Sequence, residues 1–110
     1  MFDLTRFDLS LFEESAGRAA TLLRLLANEK RLMILCQLAD GEMAVSDIQS
    51  RVGLSQSALS QHLALLRSEA IVATRRDGQA IFYRLDDPAA MRVIETLAEI
   101  FCPPDMRTSS

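Results

Sequence analysis

The sequence predicts a mostly α-helical domain that carries a β-hairpin, with its elements in the order ααααββα. The first observation is a short helical stretch, a turn that contains Gly53, and a longer helical stretch that opens with polar amides. This pattern is typical of a helix-turn-helix. The second observation is Asp77-Gly78 between two strand-like runs, 71–76 and 79–85, which predicts a hairpin. A hairpin that directly follows a helix-turn-helix forms the wing of a winged helix-turn-helix.

Length and composition agree with one domain. The 110 residues are 49% apolar and 25% charged, so the chain can bury a core and is not disordered. We expect the domain to span residues 10–102, between a mobile N-terminal segment, 1–9, and a mobile tail, 103–110. The sequence shows no signal peptide, no apolar run of membrane length and only two cysteines, and therefore predicts a cytoplasmic protein.

Capping residues predict where the first two helices begin. Ser10, with a glutamate three residues later, forms a capping-box pattern and predicts a helix over about residues 11–26. Asn28 is a good N-cap for a second helix over about residues 29–39, because its side chain can accept a hydrogen bond from the first turn.

The next two helices form the predicted helix-turn-helix. Ser46 starts a short third helix that ends near Val52, and Gly53 supplies the left-handed backbone of the turn. Ser55 is the N-cap of a fourth helix over about residues 56–69, whose leucines face inward at helical spacing. The early outward positions of this helix carry uncharged hydrogen-bonding groups, which suit the edges of DNA bases: Gln56, Ser57, Ser60 and Gln61.

Basic charge is concentrated around this motif. The chain has a net charge of −3, but residues 51–85 contain five arginines against two acidic residues. Arginines contact phosphates or enter the minor groove, so the sequence predicts DNA binding. The only histidine, His62, either contacts phosphate or packs in the core of the motif. The predicted DNA-binding residues are Gln56, Ser57, Ser60, Gln61, His62, Arg75 and Arg76.

The last helix predicts a homodimer. Asp87-Pro88 opens a helix that runs to about Phe101 and is apolar around most of its circumference. A helix of that kind must be buried, and we expect the first and last helices to pack across a two-fold axis. The two recognition helices would then lie about 34 Å apart on a palindromic operator. The alternative is that both helices complete the core of a monomer.

Three stretches carry a resemblance to a known family. They read LANEKRLMIL at residues 26–35, LSQSALSQHL at 54–63 and IFY at 81–83. Over about residues 12–102 the chain resembles the ArsR/SmtB family of dimeric winged-helix repressors. The resemblance implies a bacterial repressor that binds operator DNA through the fourth helix and the wing. It also implies release of that DNA when a small inducer binds or modifies the protein.

Many members of that family sense metals, but this sequence lacks their ligand sets. Residues 45–49, where a paired cysteine motif would fall, contain no cysteine. The last helix offers Glu95 and Glu99 without a histidine. A zinc or nickel site needs several converging nitrogen and sulfur ligands, so we expect no metal site and no cofactor.

Cys36, in the second helix, and Cys102, which closes the last helix, resemble the dithiol persulfide- and redox-sensing branch of the family. That resemblance implies that persulfides or other oxidants cross-link the two thiols and weaken DNA binding. Alternatively, both cysteines are packing residues, or the pair binds a soft metal such as arsenite. A protein-binding adaptor is a further alternative. An enzyme is not expected, since the chain has no phosphate-binding loop and no plausible Ser-His-Asp set.

Overall fold

The structure, a computed structural model, describes residues 9–102. The predicted mobile segments therefore lie outside the described residues, apart from Leu9, which already belongs to the first helix. No helix in the described part is long and apolar enough to cross a membrane. Five helices and three strands follow one another along the chain: α1 Leu9–Leu26, α2 Glu29–Leu38, β1 Met43–Ala44, α3 Val45–Val52, α4 Gln56–Ser68, β2 Val72–Asp77, β3 Ala80–Leu85 and α5 Pro88–Phe101.

Three helices begin at the side-chain caps that the sequence predicts. The Asn28 side chain accepts a hydrogen bond of 3.1 Å from the backbone N–H of Arg31 at the start of α2. Ser55 Oγ accepts one of 3.2 Å from Ala58 at the start of α4. Asp87 caps α5 in the same way, with proline in the first turn.

The predicted starts of α1 and α3 are wrong. The first helix begins at Leu9, so Ser10 lies inside it rather than at its cap. The third begins at Val45, after an N-cap residue, Ala44, that makes no side-chain capping hydrogen bond. Ala44 is also the last residue of β1, so the chain passes directly from a strand into α3 and Ser46 falls within the helix.

The sheet has three antiparallel strands in the order β1-β3-β2. Strand β1, which the sequence analysis did not predict, is two residues long and therefore too short to show an alternating pattern. In the hairpin, Asp77 pairs with Ala80, so the turn is Gly78-Gln79 rather than Asp77-Gly78. Gly78 has a φ of +63°, and glycine at the first central position is the pattern of a type II′ turn.

One apolar core joins the helices to the base of the hairpin. Its largest fully buried side chains are Ile34, Leu35, Leu38, Ile48, Leu59, Leu66 and Ile94. No charged or polar side chain is buried among the described residues. The core therefore fixes α4 and the hairpin by apolar contacts, and leaves their polar groups on the surface.

Candidate DNA-binding surface and dithiol pocket

The turn between α3 and α4 fixes the direction of the recognition helix. Gly53 ends α3 with a φ of +75°, and its N–H donates a 3.0 Å hydrogen bond to the carbonyl of Gln49. The next residue, Leu54, is half-buried and packs against the core. A left-handed residue followed by a packed leucine turns the chain sharply, so that α4 starts at the surface.

Helix α4 has one buried face and one exposed face, as the sequence predicts. Leu59, Leu63 and Leu66 are buried. His62 is half-buried, between the two faces. The four other predicted base-reading residues of this helix are exposed and lie within its first two turns: Gln56, Ser57, Ser60 and Gln61. The helix therefore presents amides and hydroxyls to solvent at its N-terminal end, where base-contacting residues of a helix-turn-helix lie.

A cleft of about 830 Å³ separates α4 from the wing. Gln56, Ser60 and Arg67 line it from α4, and Gln79 and Tyr83 line it from the hairpin. The N-terminal part of α3 closes one end through Ser46 and Gln49. Groups of this kind can donate hydrogen bonds to phosphate oxygens, and only some of them were predicted from the sequence. The lining residues that the sequence did not predict are far apart along the chain, and only the packing of the wing brings them together.

The two wing arginines predicted to contact DNA lie on opposite faces of β2, because they are adjacent residues of a strand. Arg75 Nε donates hydrogen bonds of 2.8 and 3.0 Å to the two carboxylate oxygens of Glu42. Its guanidinium also lies over the ring of Phe82, 4.4 Å from the centroid. The arginine lowers the pKa of Glu42 through these hydrogen bonds. Arg76 is exposed and has no hydrogen bond or ion pair with any described residue.

Cys36 and Cys102 lie at one pocket of about 440 Å³ between α2 and α5. Cys36 is on α2, and Cys102 is the C-cap residue of α5, where its N–H donates to the carbonyl of Ala98. Both cysteines are free and half-buried. The structure thus brings together two thiols that are 66 positions apart in sequence, through the packing of α5 against α2.

The environment of Cys36 disfavours its thiolate. Burial raises the pKa of this thiol above its ordinary value of 9.0, and the nearby Cys102 and Asp40 raise it further. The Cys102 thiol contributes to that shift because two thiolates in one pocket repel each other. Among the described residues no group of three or more His, Cys, Asp or Glu side chains is arranged to hold a metal ion.

Large apolar side chains are exposed on the two terminal helices. On α5, Ile100 is 64% and Phe101 is 72% exposed. On α1, Leu9 and Leu23 are exposed as well. Several exposed apolar side chains of this size on two helices are typical of a protein–protein interface.

Comparison of the sequence with known proteins agrees with these features. Residues 28–74 match the family described as "Bacterial regulatory protein, arsR family". The chain is 45% identical to the transcriptional activator HlyU of Vibrio cholerae over 86% of its length and 88% of that protein. It is 43% identical to the biofilm growth-associated repressor of Agrobacterium fabrum, over 94% of this chain and 88% of the repressor.

Solved structures show the same fold. Reduced HlyU from Vibrio cholerae N16961 superposes with a TM-score of 0.82 at 46% identity, over 86% of this chain and 99% of that one. The antimony-specific transcriptional repressor AntR superposes with a TM-score of 0.81 at 31% identity, over 94% of each chain. These relatives are DNA-binding transcriptional regulators rather than enzymes. The chain is a winged helix-turn-helix protein and belongs to the ArsR family of bacterial regulatory proteins.

Proposed function

We propose that this protein is a dimeric transcriptional repressor that leaves its operator when Cys36 and Cys102 are cross-linked by a persulfide or another oxidant. The observation that carries the proposal is the shared pocket, because it brings the only two thiols of the chain to one place. Cys102 also ends α5, the helix that we assign to the dimer interface, so a change at this thiol acts on the assembly.

The exposed start of α4 and the exposed side of the wing support operator binding. We assign Gln56, Ser57, Ser60 and Gln61 to base edges in the major groove, which their exposure on α4 supports. His62 and Arg76 are placed to contact the backbone, and the cleft between α4 and the wing suits a phosphate strand. Arg75 also belongs to the proposed surface, but its guanidinium is engaged by Glu42, so we assign it to the support of the wing.

The exposed apolar groups on α1 and α5 support a homodimer. Packing these two helices against the same helices of a second copy buries Ile100 and Phe101 and repeats the DNA-binding surface by two-fold symmetry. A palindromic operator matches such a dimer, because each copy contacts one half-site.

We assign the first attack to Cys102, at the end of α5, because burial and the neighbouring Asp40 raise the pKa of the Cys36 thiol and disfavour its thiolate. The Cys102 thiolate attacks the outer sulfur of a hydropersulfide, RSSH, which gives Cys102–S–SH as RS⁻ leaves with the electron pair. The Cys36 thiolate then attacks the Sγ atom of Cys102, and HS⁻ leaves with the electron pair. Two thiols have lost two electrons and two protons, and the donor has been reduced to RSH and H₂S.

The new bond would couple the sensor to the reading head. The bond ties α5, the proposed dimer helix, to α2. The two half-sites of an operator require one fixed distance between the two recognition helices of a dimer. A shift in the packing of α5 changes that distance. A ten-fold loss of DNA affinity corresponds to only about 1.4 kcal/mol of coupling.

A soft-metal sensor is the second candidate, because the same pocket offers two thiols and AntR, at 31% identity, is named as antimony-specific. Trivalent arsenic and antimony bind thiolates as soft ions. The described residues supply two such ligands and no third, which favours the persulfide switch.

Two measurements test the proposal. Fluorescence anisotropy on the DNA upstream of the gene should show tight binding by the reduced protein, with affinity that falls steeply as salt rises. Gln61→Ala should lose discrimination between that DNA and an unrelated duplex. Absence of duplex binding, or binding independent of salt, would favour a protein-binding adaptor.

Intact mass after polysulfide treatment tests the sensor chemistry. We expect a cross-linked product in the wild type, and a persulfide without a cross-link on Cys102 in Cys36→Ser. A titration with arsenite or antimonite that releases DNA at one ion per chain, with no effect of polysulfide, would establish the metal sensor instead.

A further inference from the structure

The dithiol pocket is bordered by three carboxylates and by no basic residue. Asp40 lies in the turn after α2, and Glu95 and Glu99 lie one turn apart on α5, with Cys102 three residues further on. All three carboxylate residues are exposed. The remaining walls are small or aliphatic: Ala39, Ile94 and Ala98. A reagent that reacts with the two sulfur atoms in this pocket therefore meets three exposed carboxylates on its lining.

One of these carboxylates, Asp40, also raises the pKa of the Cys36 thiol. Asp40 acts on Cys36 through space and, together with burial and Cys102, disfavours a further negative charge on its sulfur. The carboxylates do not form part of a metal site among the described residues. Their common effect is a negative potential at the place where a sulfur donor reacts.

We infer that Asp40, Glu95 and Glu99 select the charge of the sulfur donor, so that uncharged and cationic persulfides and polysulfides react faster than anionic ones of similar intrinsic reactivity. This inference rests on the proposed dithiol switch and names its substrate class. The inner walls of Ala39, Ile94 and Ala98 offer no hydrogen bonds to a large polar donor, which agrees with a small, uncharged reagent.

Charge-matched trisulfides provide the probe. Compounds R–S–S–S–R with 2-aminoethyl, 2-hydroxyethyl or carboxymethyl ends are similar in size and differ in charge. The Cys102 thiolate attacks a terminal sulfur, forms Cys102–S–S–R, and expels R–S–S⁻. The Cys36 thiolate then attacks the Sγ atom of Cys102, and R–S⁻ leaves with the electron pair. Two protein thiols are oxidised, and the trisulfide is reduced to one persulfide and one thiol.

The rate of thiol loss is measured for each trisulfide and divided by the rate of the same compound with 2-mercaptoethanol. In the wild type at low salt, we expect the normalised rate of the cationic compound to exceed that of the anionic one by about ten-fold. In the triple variant Asp40→Asn, Glu95→Gln, Glu99→Gln, the ratio should fall to within about two-fold of unity. High salt should shrink the wild-type ratio as well, because it screens exposed charges.

Glu69→Gln is the matched control, since it removes an exposed carboxylate that lines a different pocket, and it should keep the wild-type ratio. Equal normalised rates in the wild type, or a ratio that the triple variant leaves unchanged, would overturn the inference. DNA binding of the same samples is measured separately. Charge-selective cross-linking without DNA release would refute the proposed switch and leave the selectivity standing.

Discussion

Adjacent arginines in the wing differ in what they can do for DNA binding. Arg75 is held by three hydrogen bonds to Glu42 and lies over Phe82, whereas Arg76 points to the opposite face and has no such partner among the described residues. The sequence predicts the same role for both arginines. The partner of Arg75, Glu42, is 33 positions away in the chain, so two adjacent arginines give no sign of that contact. The strand pairing decides the difference.

Arg76→Ala should weaken binding to every duplex and reduce the slope of log affinity against log salt by about one, because one phosphate contact is lost. Arg75→Ala is the comparison variant and should change that slope less, since Glu42 already neutralises this guanidinium. Anisotropy titrations at several salt concentrations measure both slopes. An unchanged slope in Arg76→Ala would contradict the wing assignment.

The titration of Cys36 gives a second prediction at the residue scale. Its pKa is raised by burial, by Cys102 and by Asp40, so half of this thiol is ionised only at a pH above the ordinary value of 9.0. In the folded Cys102→Ser variant, the rate of Cys36 alkylation by iodoacetamide should rise at a higher pH than in the same variant unfolded in urea. Adding Asp40→Asn should move the folded profile to lower pH. If the pH profiles of the folded and the unfolded variant coincide, the raised pKa of Cys36 in the folded protein is refuted.

The sequence predicts the side-chain cap correctly for three of the five helices, and the predicted starts of α1 and α3 are wrong. Asn28, Ser55 and Asp87 make the expected capping hydrogen bonds, since capping depends on residues within one turn of each other. Strand β1 and the true turn of the hairpin were missed, because both depend on pairing with β3. Local chemistry thus predicts helix ends better than it predicts strand register.

The junction between α4 and β2 carries backbone strain. Ala70 has a φ of +59°, and its N–H donates to the carbonyl of Arg67 while that of Ile71 donates to Leu66. These two hydrogen bonds form a Schellman motif, in which glycine usually occupies the left-handed position. An L side chain in that conformation costs about 1–2 kcal/mol.

Ala70→Gly should therefore stabilise the fold by about 0.5–1 kcal/mol, after the larger chain entropy of unfolded glycine is subtracted. The expected rise in Tm is a few degrees. Ala64→Gly, at an exposed position inside α4, is the matched control and should destabilise by about 1 kcal/mol. Thermal unfolding followed by circular dichroism measures both, and a lower Tm for Ala70→Gly would disprove the strain.

At the scale of the whole molecule, the order of elements and the helix-turn-helix are predictable from sequence, because they follow from local signals in chain order. The dithiol pocket is not, since it exists only where α5 packs against α2. The resemblance to the family pointed to the pair Cys36 and Cys102, and the fold adds the carboxylates around them. Sequence alone gives no sign that Asp40 borders Cys102.

The exposed apolar groups of α5 predict the assembly. The double variant Ile100→Glu, Phe101→Glu should be a monomer near 12.2 kDa, where the wild type is expected at about twice that mass. Light scattering after size exclusion measures the mass. Leu65→Glu changes an exposed leucine of α4 and should remain dimeric. A dimer in the double variant would place the interface elsewhere.

The central claim is that one covalent event between α2 and α5 controls DNA affinity. Its most direct test is the dissociation constant for the operator, measured for the reduced protein and for the purified cross-linked protein under identical salt. We predict at least a ten-fold weaker affinity after cross-linking, restored by dithiothreitol, and no response of Cys36→Ser to the same polysulfide treatment. Equal affinities of the reduced and cross-linked protein would contradict the account and leave the two cysteines as packing residues.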